Sequence, residues 1–496
     1  NEEYVKALQT FKGLAAEEPE NANFNYKTAL CYLKMPFENG RSIPYLKKAI
    51  KKLTFKYKDG SYKETSAPVD ALFWLGYSLH TNRYFDEALK YYNQYRDTLP
   101  VSDVFDITMV ERQIESCKAA KDLMKNPVDV EINNLGNRLN SSNGEINPCV
   151  TADGKTLIYS RFFAAKADSL NLNRIENKRM VIYETHIDSS GRWSNPVNLN
   201  NDLKSGGVCK TLSLSADGTE LLLFKDDWEE GGPLKIKQGS IYYSKKVNDK
   251  WTPISILNGN LNSYSWESHA SISPDGKEIF FTSDRKGGFG GMDIYVSKLE
   301  NGNWGPAVNL GPTINTPHDE ETPCILPDGK TLYFSSEGHY NMGGFDVFYS
   351  TRMDSITWSE PINAGYPINS PGDNLFYVPI KDGTKAFYSA ARPDGYITFG
   401  NEDIYELDVI TDPSQYPSIK LSGKVSLEDL SDLDTSFSIT AIDTVAKKQS
   451  ASVRPDLTTG QYSMELRPGE YEIIFKANNY KEESKFISLP RARRPV

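Results

Sequence analysis

The sequence predicts a multidomain fold in which α-helical repeats come first, a five-bladed β-propeller follows, and a small β-sandwich comes last. A unit that is clearest at residues 267–297 recurs five times between about 128 and 408. The residues before this region have apolar side chains three and four apart, as in helices, whereas those after it alternate with the strand period of two. We therefore divide the chain into a helical domain at 1–126, a propeller at 127–410, a β-sandwich at 411–489 and a linker at 490–496.

Length and composition restrict the function classes. At 496 residues the chain is too long for one hydrophobic core, and its content of 39% hydrophobic and 12% aromatic residues is typical of globular proteins. The net charge of -10 disfavours nucleic-acid binding, which depends on Lys and Arg neutralising phosphates. No apolar run approaches the roughly 20 residues of a membrane-spanning helix, so no transmembrane segment is predicted.

The five cysteines are widely spaced and contain no Cys-x-x-Cys pair. This spacing gives neither a disulfide framework nor a zinc motif, and we expect buried core thiols instead. The sequence also contains no Gly-x-Ser-x-Gly elbow and no P-loop. We therefore predict no metal, no cofactor and no catalytic residue.

The helical region has its most informative spacing after residue 71. Leu72, Leu75 and Gly76 lie on one predicted helix, and Ala88 and Tyr92 lie on the next. Small residues at Gly76 and Ala88 let two helices approach closely. The pattern resembles the tetratricopeptide repeat, with a looser copy at 24–33 and 43–53 and a final helix at 104–124. The resemblance implies a concave surface that holds a peptide or a partner helix; the alternative is a packing support for the propeller.

Each of the five repeated units contains an Asp-Gly pair between two strand-like runs, which favours a tight hairpin. The aspartates are Asp153, Asp217, Asp275, Asp328 and Asp382, with spacings of 64, 58, 53 and 54 residues. A tryptophan followed by a proline marks the outer part of a unit at Trp193, Trp251, Trp304 and Trp358. Four strands per unit are typical of propeller blades.

The fifth unit, around Asp382, has no tryptophan strand of its own. Residues 130–136 resemble the strand that follows each tryptophan in the other units, as at 306–311. We therefore predict that this early segment completes the last blade and closes the ring.

The last region has short alternating runs at 419–425, 437–442 and 469–477, with Pro-Gly turns between them. This pattern predicts a small β-sandwich. The sequence Thr-Gly-x-Tyr followed by Leu-x-Pro-Gly-x-Tyr-x-Ile resembles the carboxypeptidase regulatory-like domain. That resemblance implies a structural spacer.

The repeats also resemble a known family. Ser-Pro-Asp-Gly, the Thr-Ser-Asp-Arg-x-Gly-Gly-x-Gly-Gly-x-Asp-Ile-Tyr run and Trp-x-x-Pro-x-Asn-Leu-Gly resemble TolB-like, WD40-like propeller repeats. The order of the regions resembles multidomain OmpA-family proteins of the Bacteroidetes, including those of the type IX secretion system. The resemblance implies a periplasmic, outer-membrane-associated location and envelope or secretion-system proteins as partners of the helical repeats and propeller faces. It implies peptidoglycan binding only through an OmpA-like domain that this sequence does not contain.

Three carboxylates lie eight residues before the hairpin aspartates: Glu145, Glu267 and Glu320. First strands surround the channel of a propeller, so these residues predict an acidic ring at one mouth, with His269 and His318 beside it. Such a ring would take a cation or a basic peptide; the alternative is salt bridges and solvated loop ends. The set at 318–321 has ligand types that suit a metal, but it contains one histidine and no second histidine a helical turn away.

The sequence leads to two functional hypotheses. The first is a non-enzymatic periplasmic scaffold that binds proteins of an outer-membrane or secretion machine, linked to peptidoglycan by the further domain. The alternative is a ligand-binding or hydrolytic propeller that uses the acidic mouth.

Overall fold

The computed structural model describes residues 2–35, 39–61, 63–163, 179–226, 239–257, 260–380, 383–390, 398–400, 402–409, 418–425, 436–444, 447–477 and 480–489. The chain forms two compact units, Asn1–Val409 and Ile410–Val496. Strands outnumber helices, in agreement with the predicted multidomain, β-rich fold.

Six helices occupy the amino-terminal part of the first unit: α1 (Glu2–Glu17), α2 (Ala22–Leu33), α3 (Asn39–Ala49), α4 (Ala71–Thr81), α5 (Phe85–Thr98) and α6 (Val104–Leu123). Each packs against the next along the chain. Between α3 and α4 lies a short parallel pair, β1 (Leu53–Thr54) and β2 (Ala67–Pro68). Gly76 faces the ring of Tyr92, which is fully buried, so α4 and α5 meet at a position that has no room for a side chain.

The rest of the first unit consists of five antiparallel sheets, which we number as blades 1 to 5. Blade 1 contains β4 (Gly144–Val150), β5 (Thr156–Phe163), β6 (Arg179–His186) and β7 (Val197–Asn198). After the short helix α7 (Asn200–Leu203), blade 2 contains β8 (Cys209–Leu214), β9 (Glu220–Asp226), β10 (Gly239–Val247), β11 (Lys250–Trp251) and β12 (Ser255–Ile256). Blade 3 contains β13 (Glu267–Ile272), β14 (Glu278–Ser283), β15 (Asp293–Glu300), β16 (Asn303–Trp304) and β17 (Val308–Asn309).

Blade 4 contains β18 (Glu320–Ile325), β19 (Thr331–Ser336), β20 (Asp346–Thr351) and β21 (Ile362–Asn363). Blade 5 contains β22 (Val378–Ile380), β23 (Lys385–Ala390) and β24 (Asp403–Val409), and its fourth strand is β3 (Val130–Asn134). β3 pairs antiparallel with β24 from Val130↔Val409 to Asn134↔Tyr405. The early segment thus completes the last blade, as the sequence pattern predicts, and the fold is propeller-like.

The hairpin turns explain the repeated Asp-Gly pairs. Asp153 Oδ1 accepts a hydrogen bond from the Lys155 amide at 3.0 Å, and Gly154 has a φ of 71°. An L side chain is strained at that φ, so glycine is favoured. The turns at Asp217, Asp275 and Asp328 repeat the aspartate contact, whereas Asp382 lies outside the described residues.

The first strand of blades 1 to 4 contains an irregularity at nearly the same place. The register shifts between Ile146 and Cys149, and corresponding shifts occur in β8, β13 and β18. Asn147, Thr322 and Phe376 adopt positive φ values of 53°, 51° and 57° at this level. Bulges change the direction of a side chain and often occur near functional sites.

The second unit contains two sheets. One pairs β25 (Ile419–Lys424) with β28 (Gln461–Leu466); the other has the order β27 (Lys448–Val453), β26 (Ser438–Asp443), β29 (Gly469–Lys476), β30 (Glu483–Leu489). Ile439, Ala441 and Ile473 lie in the core of this unit. Alternate residues of β26 face that core, as the period-two pattern predicts.

Candidate functional site in the propeller channel

The three glutamates predicted to form an acidic ring are fully buried. Glu145, Glu267 and Glu320 each have an exposed fraction of 0% and lie at the first or second residue of the first strand of blades 1, 3 and 4. Each carboxylate accepts hydrogen bonds from the backbone amide and the hydroxyl of the residue four positions earlier, such as the Ser263 amide at 3.0 Å from Glu267. The carboxylates therefore hold the loop that enters each blade. A ligand role for these residues stays a prediction.

Two of these carboxylates each form an ion pair with an arginine of their own. Arg161 Nε lies 2.6 Å from Glu145, and Arg285 Nη2 lies 3.0 Å from Glu267. Each arginine also donates to a loop carbonyl, that of Leu139 or Leu261. A buried carboxylate needs such a partner because removal from water penalises its charge.

Blade 4 replaces the arginine with a histidine. His339 Nε2 lies 2.9 Å from the Ile314 carbonyl, in the role that the arginine has in blades 1 and 3, but it makes no ion pair with Glu320 among the described contacts. Burial raises the pKa of Glu320 to about 7, although bonds from Thr316 and Ser336 oppose the shift. Glu320 thus titrates near neutral pH.

The two predicted histidines lie in different environments. His318 contacts helix α6, where its Nδ1 lies 3.3 Å from Arg112 Nη1. Burial and the Arg112 charge lower the pKa of His318. His269 instead lies in the channel, so the structure does not bring these two residues together at one mouth.

The channel contains a cavity of about 80 Å³. Residues from the first strand of every blade line it, and prolines and aliphatic side chains such as Pro148, Pro323 and Ile272 form much of the wall. Its polar lining includes Asn147 and His269, which lie at the level of the bulges. An apolar lining with a few polar groups is typical of small-molecule sites, but typical ligand pockets measure about 300–1,000 Å³, so this cavity admits one small polar group or the end of a larger ligand.

His269 forms an ion pair with the neighbouring blade. Its Nδ1 lies 3.0 Å from Glu321 Oε2, and its ring meets the Phe376 ring edge-on at a centroid distance of 5.1 Å. Burial raises the pKa of Glu321, but the charges of His269 and Lys210 outweigh burial and hold this pKa below its ordinary value. Glu321 is therefore an ionised carboxylate beside an imidazole.

Asn147 supplies a hydrogen-bond acceptor without a partner. Its Nδ2 donates to the Thr211 carbonyl at 2.9 Å, and among the described residues no group donates to its Oδ1. The residue is only 3% exposed and lines the cavity. A buried acceptor without a donor costs about 1–3 kcal/mol, so the arrangement favours a donor supplied from outside the chain.

Two further charged residues lie near this group. Lys210 follows the first residue of β8, and Glu402 precedes β24. Lys210 lowers the pKa of Glu321 and acts in the same direction on Glu402. We define the channel site as Asn147, Lys210, His269, Glu321 and Phe376.

Sequence reasoning identified His269 of this site and placed Glu321 in the set at 318–321 whose ligand types suit a metal. Asn147, Lys210 and Phe376 were missed because the sequence signal lies at the glutamates near the start of the first strands of blades 1, 3 and 4. Asn147 and Phe376, which line the cavity, lie two positions later, and Asn147 lies within the register shift of blade 1. The recurring unit alone does not predict a bulge. The available signal was that the blades carry unlike residue types at this position.

The described residues show neither a metal-binding cluster nor a membrane-spanning helix. They contain no group of three or more His, Cys, Asp or Glu side chains arranged to hold a metal ion. None of the described helices is both long and apolar enough to cross a membrane.

No protein-family model and no curated protein matches this chain. Among solved structures, an α-L-arabinofuranosidase from Podospora anserina matches with 14% identity and a TM-score of 0.33, covering 55% of this chain and 92% of its own. An α-L-arabinofuranosidase from Lactobacillus brevis matches with 13% identity and a TM-score of 0.35, over 54% and 90% of the two chains. A puromycin-hydrolysing peptidase from Mycobacterium tuberculosis matches with 11% identity and a TM-score of 0.30, over 67% and 43%.

These matches contradict two predictions, that the chain is a non-enzymatic scaffold and that it is not an enzyme. The matched structures are named as hydrolases, and we do not retain the scaffold interpretation. The likeness concerns the path of the chain and transfers neither a substrate nor a catalytic residue.

Proposed function

We propose that this protein is a ligand-binding propeller whose ligand enters the channel and bonds to Asn147, His269 and Glu321. The observation that carries the proposal is the Asn147 Oδ1 acceptor, which is buried and without a donor among the described residues. It lines the same cavity as His269, which forms the ion pair with Glu321. A ligand that donates to Asn147 would remove the penalty of the unpaired acceptor.

The lining restricts the chemistry of the ligand. Asn147 Oδ1 in the cavity wall accepts hydrogen bonds, and so does the Glu321 carboxylate, which pairs with His269 and is not itself part of that wall. The ligand must therefore carry O–H or N–H groups. The prolines and aliphatic side chains favour an apolar surface on the rest of the molecule. Small molecules with several hydroxyl or amino groups meet both requirements.

The ion pair also suits a proton transfer. An ionised carboxylate orients the imidazole beside it, and the imidazole can accept a proton from a hydroxyl or a water and return it to a leaving group. Hydrolysis of a bound ligand is therefore the reaction class that we assign to the site.

The test uses thermal unfolding in the presence of monosaccharides and small primary amines, with nitrophenyl glycosides as turnover probes. A ligand at 100 times its Kd stabilises the folded state by about 2.7 kcal/mol, which raises Tm measurably. We expect Glu321→Gln to weaken binding of the same ligand at least tenfold. Asn147→Gly removes the acceptor while permitting the positive φ, and we expect a similar loss.

Glu300→Gln is the matched control, because Glu300 is an exposed carboxylate at the end of β15, outside the cavity lining. It should bind the ligand as the unchanged protein does. Equal Tm shifts in all three variants would exclude the channel site. Binding without turnover of any probe would retain the ligand site and exclude the hydrolytic step for those substrates.

We also propose that the helices form tetratricopeptide-type repeats. The contact between Gly76 and the Tyr92 ring and the complete burial of Ala88 support this proposal, because both follow the repeat pattern. Contacts between successive helices from α1 to α6 support it as well.

We propose a periplasmic, outer-membrane-associated location on the basis of the repeat motifs and the order of the regions. The same resemblance supports envelope or secretion-system proteins as binding partners of the helices. It makes peptidoglycan a ligand only of a further domain. The coding sequence on either side of this chain tests the proposal, since a signal peptide and an OmpA-like domain are expected there.

A further inference from the structure

A second cavity lies between blades 2 and 3, at the end of the propeller that carries the Asp-Gly turns. It has a volume of about 640 Å³ and includes the turns at Asp217 and Asp275. We call it the turn cleft. Its residues are distinct from the channel site defined above, apart from a shared wall that includes Ile272.

The cleft is open because the turn of blade 3 does not pack against blade 2. A Cβ on Gly218 would meet Thr151 at 2.9 Å, and one on Gly154 would meet Ile380 at 2.7 Å. A Cβ on Gly276 would meet nothing within 4 Å. The turns of blades 1 and 2 thus close against their neighbours, whereas the turns of blades 3 and 4 both leave a space at the glycine, and the cleft borders the blade 3 turn.

The rim of the turn cleft is acidic. Asp217 and Asp275 are exposed, and every hydrogen bond that the described residues give to them ends on Oδ1. Their Oδ2 atoms thus remain available to a partner. Glu220 also lines the cleft, but Lys245 lies 2.8 Å from it and balances its charge. The cleft lining thus contains three carboxylates and one ammonium group, so its rim has a net negative charge.

The inner surface of the cleft is aromatic and aliphatic. Tyr243 and Trp304 are partly buried against the core of blade 3 and line the cleft, together with Leu257 and Leu299. A guanidinium or ammonium group is attracted both by carboxylates and by the face of a tryptophan or tyrosine ring. The carboxylates and the rings therefore favour the same ligand class.

We propose that the turn cleft binds an extended segment of a partner protein that carries arginine or lysine. The cationic group lies between Asp217 and Asp275, and its aliphatic stem lies over Trp304. Arginine fits best, because its planar guanidinium pairs with a carboxylate and stacks on an aromatic ring at the same time. This proposal does not depend on the channel ligand.

The probe is the peptide acetyl-Gly-Ala-Arg-Ala-Arg-Ala-Gly-amide, titrated into the whole chain by calorimetry and by tryptophan fluorescence. We expect saturable binding that weakens as salt is raised, since the contacts are exposed. The double variant Asp217→Asn, Asp275→Asn keeps the turns, because asparagine makes the same turn contact. It should weaken peptide binding at least tenfold. Trp304→Phe should reduce the change in tryptophan fluorescence that the peptide causes.

Asp328→Asn is the matched control, since Asp328 makes the same turn contacts in blade 4 and does not line the cleft. It should bind the peptide with unchanged affinity. The proposal is overturned if the peptide does not bind, if the double variant binds it equally well, or if a peptide with glutamate in place of arginine binds as tightly. Tighter binding of a neutral oligosaccharide than of the arginine peptide would also overturn it.

Discussion

Glu320 differs from Glu145 and Glu267 in the partners of its carboxylate, although all three occupy the same place in their blades. Glu267 accepts a hydrogen bond from Arg285, whereas Glu320 receives bonds only from an amide and two hydroxyls among the described contacts. A hydroxyl can accept as well as donate, and a guanidinium only donates. Blade 4 therefore tolerates a neutral side chain at this position, whereas blade 3 requires an acceptor.

This difference gives a prediction for Glu320→Gln. The pKa of Glu320 is raised from 4.5 to about 7 in the folded protein. The folded state thus binds more protons than the unfolded state between these values, and stability falls as pH rises through that window. Glu320→Gln removes this contribution, so the variant should lose less stability than the unchanged protein from pH 5 to pH 8. Chemical unfolding at several pH values measures the effect.

Glu267→Gln is the control at the matching position of blade 3. It places an amide N–H group against Arg285, which leaves a buried charge without its partner and costs about 3–5 kcal/mol. If both variants lose the same stability at pH 8, the two blades do not differ in the way described. A pH profile of Glu320→Gln that is parallel to that of the unchanged protein would contradict the assigned titration.

The burial and the contacts of single side chains were the features that the sequence predicted least well. The position of Glu145, Glu267 and Glu320 in the repeat was visible, but their complete burial was not. Burial depends on how closely the entering loop and the residues at the end of the second strand approach each carboxylate, and those distances are set by the pairing of the two strands. Asn147 was missed for the same reason, because its exposure to the cavity follows from a bulge.

At the scale of elements, periodicity predicted much more. The Asp-Gly pairs locate the hairpins, and the early segment at Val130–Asn134 completes blade 5. These features follow from local backbone preferences and from the need to pair every strand, and both can be read from a sequence. The open turn cleft could not be predicted, because the Asp-Gly pair of blade 3 has the same sequence as those that close.

The contact between α4 and α5 gives a prediction at this scale. A Cβ at Gly76 would lie 2.6 Å from a carbon of the Tyr92 ring, which is fully buried and cannot move into solvent. Overpacking of this kind costs about 1–3 kcal/mol, and it outweighs the higher helix propensity of alanine. Gly76→Ala should therefore lower the free energy of unfolding, as measured in urea.

Gly13→Ala is the matched control in α1. Gly13 is exposed, and a Cβ there would meet nothing within 4 Å. Alanine should then stabilise the protein by about 0.5–1 kcal/mol. The interpretation of α4 and α5 as closely packed helices is contradicted if both substitutions stabilise.

At the scale of the whole molecule, the helices and the blades belong to one compact unit. Helix α6 contacts the loops of blade 4, where Arg112 donates to the Glu337 carbonyl at 2.5 Å and lies 3.2 Å from the Glu337 carboxylate. The same helix donates from Ser116 to Asn341, and His80 of α4 contacts the Met342 carbonyl. These buried polar contacts couple the helices to the propeller.

This coupling predicts that the chain unfolds in two thermal transitions. The unit Asn1–Val409 should unfold in one transition that includes both helices and blades, and the unit Ile410–Val496 in another. Arg112→Ala breaks a charge-assisted contact worth about 1.5–3 kcal/mol. It should lower the Tm of the unit Asn1–Val409 by a few degrees and leave the Tm of the other unit unchanged. Lys118→Ala removes an exposed ion pair with Glu115 on the same helix and should change neither. Differential scanning calorimetry with circular dichroism at a helical wavelength measures both transitions. If the unchanged protein loses its helical signal at a lower temperature than the transition of the unit Asn1–Val409, the helices unfold separately from the blades.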